Sequence, residues 1–153
     1  MAGRIDARLK ELGIALPSAR APSANYLPFR ISGNLVFISG QVSVAGDEMV
    51  KGKVGDNLSQ EDGYKGARLC AIAILAQLRN AIGDDIDRAR AIKLGGFINA
   101  TPDFTASPAV MNGASDLMVE VMGDNGKHAR FAVAVASLPQ GAAVEVDAIF
   151  EIE

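Results

Sequence analysis

From Arg130 to Glu151, apolar residues alternate with period two on both sides of a Leu138-Pro139-Gln140-Gly141 break. Alternation of that kind specifies half-buried strands, and the Pro/Gly pair supplies a turn, so the segment is expected to be a hairpin. In its first strand Phe131, Val133 and Val135 share one face, while Arg130, Ala132, Ala134 and Ala136 share the other. In its second strand Val144, Val146, Ala148 and Phe150 lie opposite Glu145, Asp147 and Ile149. A row of alanines buries little area and cannot fill a core alone. It leaves a shallow space for another subunit, a ligand or water. Arg130 and the carboxylates bordering that space suit anion recognition and proton handling, and equally suit a solvated sheet edge. Arg130 and Glu145 share a face only if the register pairs even-numbered with odd-numbered residues, which the sequence leaves open.

The rest of the chain reads as helices and strands in sequence. Ile5, Leu9 and Leu12 recur at helical spacing, so an amphipathic helix is expected over 4–12 with Gly13 as its stop. The stretch 16–25, rich in Pro, Ser and Ala, is a connecting arm. Strands over 26–31 and 35–39 flank a Ser32-Gly33-Asn34 turn. A long helix starts at Ser59, with Asp62 completing a capping box, and stops at Gly83. A strand over 89–100 contains Gly95-Gly96, a site for a bulge or a close backbone approach. Ser107-Pro108 opens a further helix, Ser as cap and Pro in the first turn, running to about Gly123. This order gives an α+β domain with two helices on one face of a mixed sheet. All 153 residues form one domain, 1–25 being helix and arm and 26–153 the core. The alanine-rich strands predict that the uncovered face is flat, small-surfaced and packed against copies of the same chain.

Composition narrows the function. With net charge −3 and no tryptophan, the chain carries no electrostatic footprint for nucleic acid or anionic membrane. No run is long and apolar enough to span a bilayer, and the N-terminus lacks a signal-peptide core, so the cytoplasm is the default location. One cysteine, Cys70, and one histidine, His128, cannot supply a zinc cluster or a nucleophilic triad. Cys70 sits mid-helix among Ala and Ile, where an inert buried thiol is expected, and His128 reads as a surface loop residue. Asp84, Asp85 and Asp87 read as a solvated turn, so no metal is expected, and no Gly-rich nucleotide motif is present. Arg130 and Glu145 remain. A guanidinium fork matches a carboxylate, and a glutamate can orient water or carry its proton.

The run Ala129-Arg130 through Leu138-Pro139, Gly141-Ala142 and Val144-Glu145-Val146 to Ala148-Ile149 resembles the C-terminal signature of the RidA/YjgF (L-PSP endoribonuclease) family. Asn34-Leu-Val-Phe-Ile-Ser-Gly-Gln41 is similar to that family's strand of the same pattern, and Asn25-Tyr26 precedes it as the family's tyrosine does. The resemblance spans Tyr26 to the end, which makes the first helix an extension that packs on a neighbour or caps a sheet edge. It implies a chorismate-mutase-like fold, a homotrimer with sites at subunit boundaries, and cofactor-free hydrolysis of enamines and imines such as 2-aminoacrylate to 2-keto acids and ammonia. It further implies that Arg130 binds the carboxylate of a small substrate and that Glu145 positions water. By the same resemblance Ser39 and Gly40 line the pocket, Tyr26 closes it from a neighbouring subunit, and Asn112 matches a helix asparagine. Two departures stand out: Ala132 replaces the family's cysteine, and Leu27-Pro28 replaces the Ser-Gln after the tyrosine. Two other functions compete: non-catalytic binding of small carboxylates through Arg130, and the ribonuclease activity of the family's older name, which an acidic chain with one histidine serves poorly.

Overall fold

The sheet is built around its central strand, β7 (Val144–Ile152), which is paired along both edges. The computed structural model describes residues 3–22 and 24–153. Strand β1 (Phe29–Ser32) turns through Gly33, at φ 61°, into β2 (Leu35–Val42). A small two-stranded ribbon, β3 (Val44–Ala45) and β4 (Glu48–Met49), follows. Helix α2 (Gln60–Ile82) leads to β5 (Ala89–Asn99), helix α3 (Ser107–Met122) to β6 (Ala129–Val135), and β7 closes the chain. The main sheet runs β1-β2-β7-β5-β6, with β5 and β6 parallel and the other neighbours antiparallel.

This arrangement is the α+β mixed sheet expected, with α2 and α3 packed together on one face. Val36, Ile38, Leu94, Ile98, Val144, Val146, Ala148 and Phe150 meet Ala67, Cys70, Ile74 and Leu78 of α2 and Met111, Leu117 and Met118 of α3 in one buried cluster. The two helices approach closely because Gly113 has no Cβ to strike the Tyr64 carbonyl. The Ser59 hydroxyl accepts from the Asp62 amide while the Asp62 carboxylate accepts from the Ser59 amide, so the capping box is complete. Ser107 is the first residue of α3 rather than its cap; the cap position is Ala106, with no side-chain hydrogen bond.

Two expectations change. The C-terminal segment is not a hairpin: β5 lies between β6 and β7, so their connection crosses the end of the sheet. Lys53 Nζ pins that connection by donating to the Ala136 carbonyl and to Asn99 Oδ1. Consequently Arg130 lies in register with Leu94 and through it with Ala148, on the helix side. Glu145 lies in register with Phe97 and through it with Val133, on the other side. The alanine face is also not the free one. Ala132 and Ala134 lie in register with Gly96 and Ile98 on the helix side, where Ala132 packs against the core and Ala134 is exposed, and the uncovered face carries Phe37, Phe97, Phe131 and Val133. There Phe131 meets Phe97 edge-on at 5.3 Å and lies under Lys93 Nζ at 5.8 Å.

The first helix, α1 (Arg4–Glu11), joins the same core through Ile5 and Leu9, and its Arg8 Nε donates to the Glu120 carbonyl of α3. Its N-terminus is held by Asp87, whose carboxylate accepts from the Arg4 and Ile5 amides at 2.9 and 2.8 Å. The acidic turn after α2 therefore caps another helix through one of its members.

Candidate active site

Strand β2 carries an irregularity at the point where chemistry was expected. Ile38 pairs with Ala148 and Gln41 with Val146, so Ser39 and Gly40 together oppose Asp147 alone. An extra residue of this kind is a β-bulge, a device that re-aims side chains at the rims of sites. Gly40 fills the bulge because the Glu145 side chain crosses it. A Cβ there would stand 2.7 Å from Glu145 Oε1 and 3.2 Å from its Cδ.

A cavity of about 290 Å³ opens over this bulge, beneath the N-terminal arm, and Tyr26, Ser39, Gly40 and Glu145 all line it. Four of the six residues singled out by sequence thus meet around one hollow, and Tyr26 reaches it from the same chain as Glu145. The Ser39 hydroxyl donates to the Leu27 carbonyl at 2.6 Å, tying the tyrosine-bearing loop to the bulge. Glu145 is half-buried. Loss of hydration raises its pKa from the ordinary 4.5, and the neighbouring Asp147 charge adds to the rise. A carboxyl so placed can give a proton nearer neutrality than a solvated one, or hold a water as the anion.

Arg130 and Asn112 are elsewhere. Arg130 is half-buried on the edge strand β6, its Nη1 donating to Ser115 Oγ at 3.0 Å and its Nη2 to the Pro108 carbonyl at 3.2 Å. Pro108, Asn112 and Ser115 fall at i, i+4 and i+7 of α3, one stripe of the helix, so Asn112 shares the side on which Arg130 is held. Within one chain the candidate residues therefore form two half-sites: Tyr26, Ser39, Gly40 and Glu145 at the cavity, and Arg130 with Asn112 at the rim of the edge strand. His128 belongs to the second group and is not a free surface residue. Its Nε2 lies 2.9 Å from Ser115 Oγ and its Nδ1 2.6 Å from the Gly126 carbonyl.

The polar residues of the cavity wall that sequence reading did not place there are Arg20, Gln41, Gln77 and Gln140. Two of them carried a signal: Gln41 ends the strand pattern that resembles the family's, and Gln77 is a single amide inside the apolar run of α2. Cys70, by contrast, is the inert thiol expected: fully buried, hydrogen-bonded to the Val144 carbonyl, its pKa pushed well up by burial. Among the described residues no three His, Cys, Asp or Glu side chains gather as metal ligands, and no helix is long and apolar enough to cross a membrane.

Comparison with known proteins agrees with this architecture. The sequence model of the family described as "YjgF/chorismate_mutase-like, putative endoribonuclease" matches residues 6–151. Protein TCP17 of Trypanosoma cruzi is 46% identical over 155 residues, covering 98% of this chain and 95% of that protein. A crystal structure from Agrobacterium tumefaciens, of a protein of unknown function, superposes with a TM-score of 0.90 at 47% identity, over 98% of this chain and 93% of the other. A "putative endoribonuclease" from Shewanella oneidensis superposes at 0.92 with 29% identity, over 97% of this chain and 99% of the other. RidA from an Antarctic Psychrobacter superposes at 0.60 with 25% identity, over 88% and 94%. Since the family match begins inside α1 and the first two structures span nearly the whole chain, α1 is not an extension peculiar to this protein. The bulged β2 strand, the C-terminal signature and the match over nearly the full length together place this chain in the YjgF/chorismate-mutase-like family, to which the RidA and L-PSP proteins belong.

Proposed function

We propose that the protein is a cofactor-free hydrolase of small 2-imino acids, acting in the cytoplasm as a homotrimer. The observation that carries this reading is the convergence of Tyr26, the Ser39-Gly40 bulge and a half-buried Glu145 on one cavity. Water adds to the imine carbon, and the resulting carbinolamine expels ammonia to leave the 2-keto acid, with no change of oxidation state. Glu145 takes a proton from the attacking water and returns it to the departing nitrogen. A carboxyl with a raised pKa suits that exchange better than a solvated one. Arg130 binds the substrate carboxylate. Because it stands on the opposite side of the sheet from Glu145 in its own chain, it completes the cavity of a neighbouring copy. The exposed Phe37, Phe131 and Val133 give the sheet an apolar face suited to such an assembly.

The test is keto-acid release from 2-aminoacrylate generated in situ by a serine dehydratase, with the mass of the assembly measured by sedimentation. Turnover that collapses in both Arg130→Ala and Glu145→Gln supports the reading. Arg130→Ala performing like the parent, or a monomer with full activity, refutes it. Carboxylate binding that is lost in Arg130→Ala and retained in Glu145→Gln, with no turnover in the parent, assigns the protein as a carboxylate binder instead.

A further inference from the structure

The lining of the cavity includes polar groups that the hydrolysis of a simple imine leaves unused. Arg20 stands on the arm between α1 and β1, is exposed, and lines the cavity. Among the described residues its guanidinium makes no hydrogen bond and no ion pair. Its backbone, by contrast, is anchored: Gln77 Nε2, on α2, donates to the Arg20 carbonyl at 2.8 Å. That donation fixes which end of the amide is nitrogen, and it leaves Gln77 Oε1 buried with no partner. That oxygen is an acceptor, so what it calls for is a donor. Gln140 adds a third sign. It lines the same cavity and, among the described residues, is the one non-glycine residue with positive φ, at 61°. Non-glycine residues persist in that conformation where the surroundings hold them, and such places cluster at ligand clamps.

These observations have different causes, yet all three residues line the one cavity. The hollow, at about 290 Å³, is larger than 2-aminoacrylate needs. Among the described residues Glu145 is the only carboxylate in its lining and forms no ion pair with Arg20, so the cation is open to a ligand. A guanidinium in the lining of an acid-binding cavity, besides the one that anchors the first carboxylate, matches a second carboxylate.

We infer that Arg20 is a specificity-determining residue and that the cavity takes a dicarboxylic 2-imino acid of four or five carbons, its distal carboxylate on Arg20. This assignment rests on the hydrolase reading for its chemistry, and on the cavity alone for its binding. The reaction class supplying such a substrate is the oxidation of an acidic amino acid, or the elimination of a β-substituent from one, either of which leaves the nitrogen as an imine.

The decisive comparison uses a size-matched pair differing only in the distal group. Binding of 2-oxoglutarate and 2-oxopentanoate is measured by calorimetry, and turnover with the corresponding imines made in situ by an amino-acid oxidase, for the parent and Arg20→Gln. The parent is expected to prefer the dicarboxylate by about tenfold or more, the worth of one charge-assisted pair. Arg20→Gln should lose that preference while holding the monocarboxylate within about twofold. A parent without preference overturns the inference. So does equal loss of both ligands in Arg20→Gln, which would make Arg20 the anchor of the shared carboxylate. Failure of the hydrolase reading shows differently, as dicarboxylate-selective binding without turnover.

Discussion

Replacing Gly40 by alanine should separate activity from stability. The added Cβ would stand 2.7 Å from Glu145 Oε1, 3.2 Å from Cδ and 3.4 Å from Cγ, and it meets no backbone atom at closer range. Every atom in the way belongs to the outer part of one side chain, which escapes by changing rotamer at about 0.5–1.5 kcal/mol. Gly40 is not among the glycines with positive φ, so alanine adopts its backbone without strain. Restricting the unfolded chain then returns about 0.4–1 kcal/mol. The two contributions nearly cancel, and at about 2–4 °C per kcal/mol the melting temperature should move by no more than a few degrees. The carboxylate, however, leaves its place over the bulge, and misplacing a catalytic group by ~1 Å costs about 10²-fold in rate. Thermal unfolding by circular dichroism and keto-acid release from 2-aminoacrylate measure the two halves. Gly113→Ala is the contrasting control, because there the new Cβ strikes the Tyr64 carbonyl of the neighbouring helix. Its cost should be about 1–3 kcal/mol or more. A Gly40→Ala protein that melts normally and turns over at the parent rate would show that the Glu145 position is irrelevant to catalysis. One that melts ten or so degrees early would show that the bulge is rigid, contrary to the reasoning.

Glu145→Gln should stabilise the protein at neutral pH. A carboxyl whose folded pKa is raised binds its proton more tightly when folded, so its contribution to stability falls as pH rises above the unfolded value near 4.5. The gain over the parent should be present at pH 7 and vanish below about pH 4 in urea melts run across that range; a constant difference at all pH values contradicts the assignment. Ser115→Ala removes the hydroxyl that accepts from Arg130 Nη1 and neighbours His128 Nε2. Substrate KM should rise about three- to tenfold with kcat nearly unchanged, since positioning of the carboxylate anchor is lost and the Glu145 chemistry is not. An equal fall in kcat would place Ser115 in the chemical step. Asp87→Ala strips both acceptors from the start of α1 and should cost about 0.5–2 kcal/mol, seen as faster amide exchange over 4–11 with activity intact.

What could be read from the sequence, and what could not, divides along the distance over which the signal acts. The box at Ser59 and Asp62, the Gly83 stop, the Gly33 turn and the alternation in β6 and β7 are all local, and each formed where its residues specify it. The pairing of β6 with β7 is a non-local choice, and it went the other way. The helix α3 brings β6 back parallel beside β5, which occupies the place between the last two strands. Nothing within 130–151 records that insertion, because period two fixes which residues share a face of one strand and says nothing of the strand beside it. One intervening strand was enough to send Arg130 to the helix side and Glu145 to the other. The bulge is a similar case: Ser39-Gly40 could be picked out by resemblance, but that the pair opposes a single residue depends on β7, more than a hundred residues away. Arg20 was the least legible of all, since an arginine in a Pro/Ser/Ala arm looks like any solvated linker charge until Gln77 fastens that arm to the core. The two half-sites follow from the same geometry. An edge strand that carries a cation on its covered side, in a sheet that carries a carboxylate on its uncovered side, can unite them only by meeting a second sheet, so catalysis and assembly in this protein should be lost together.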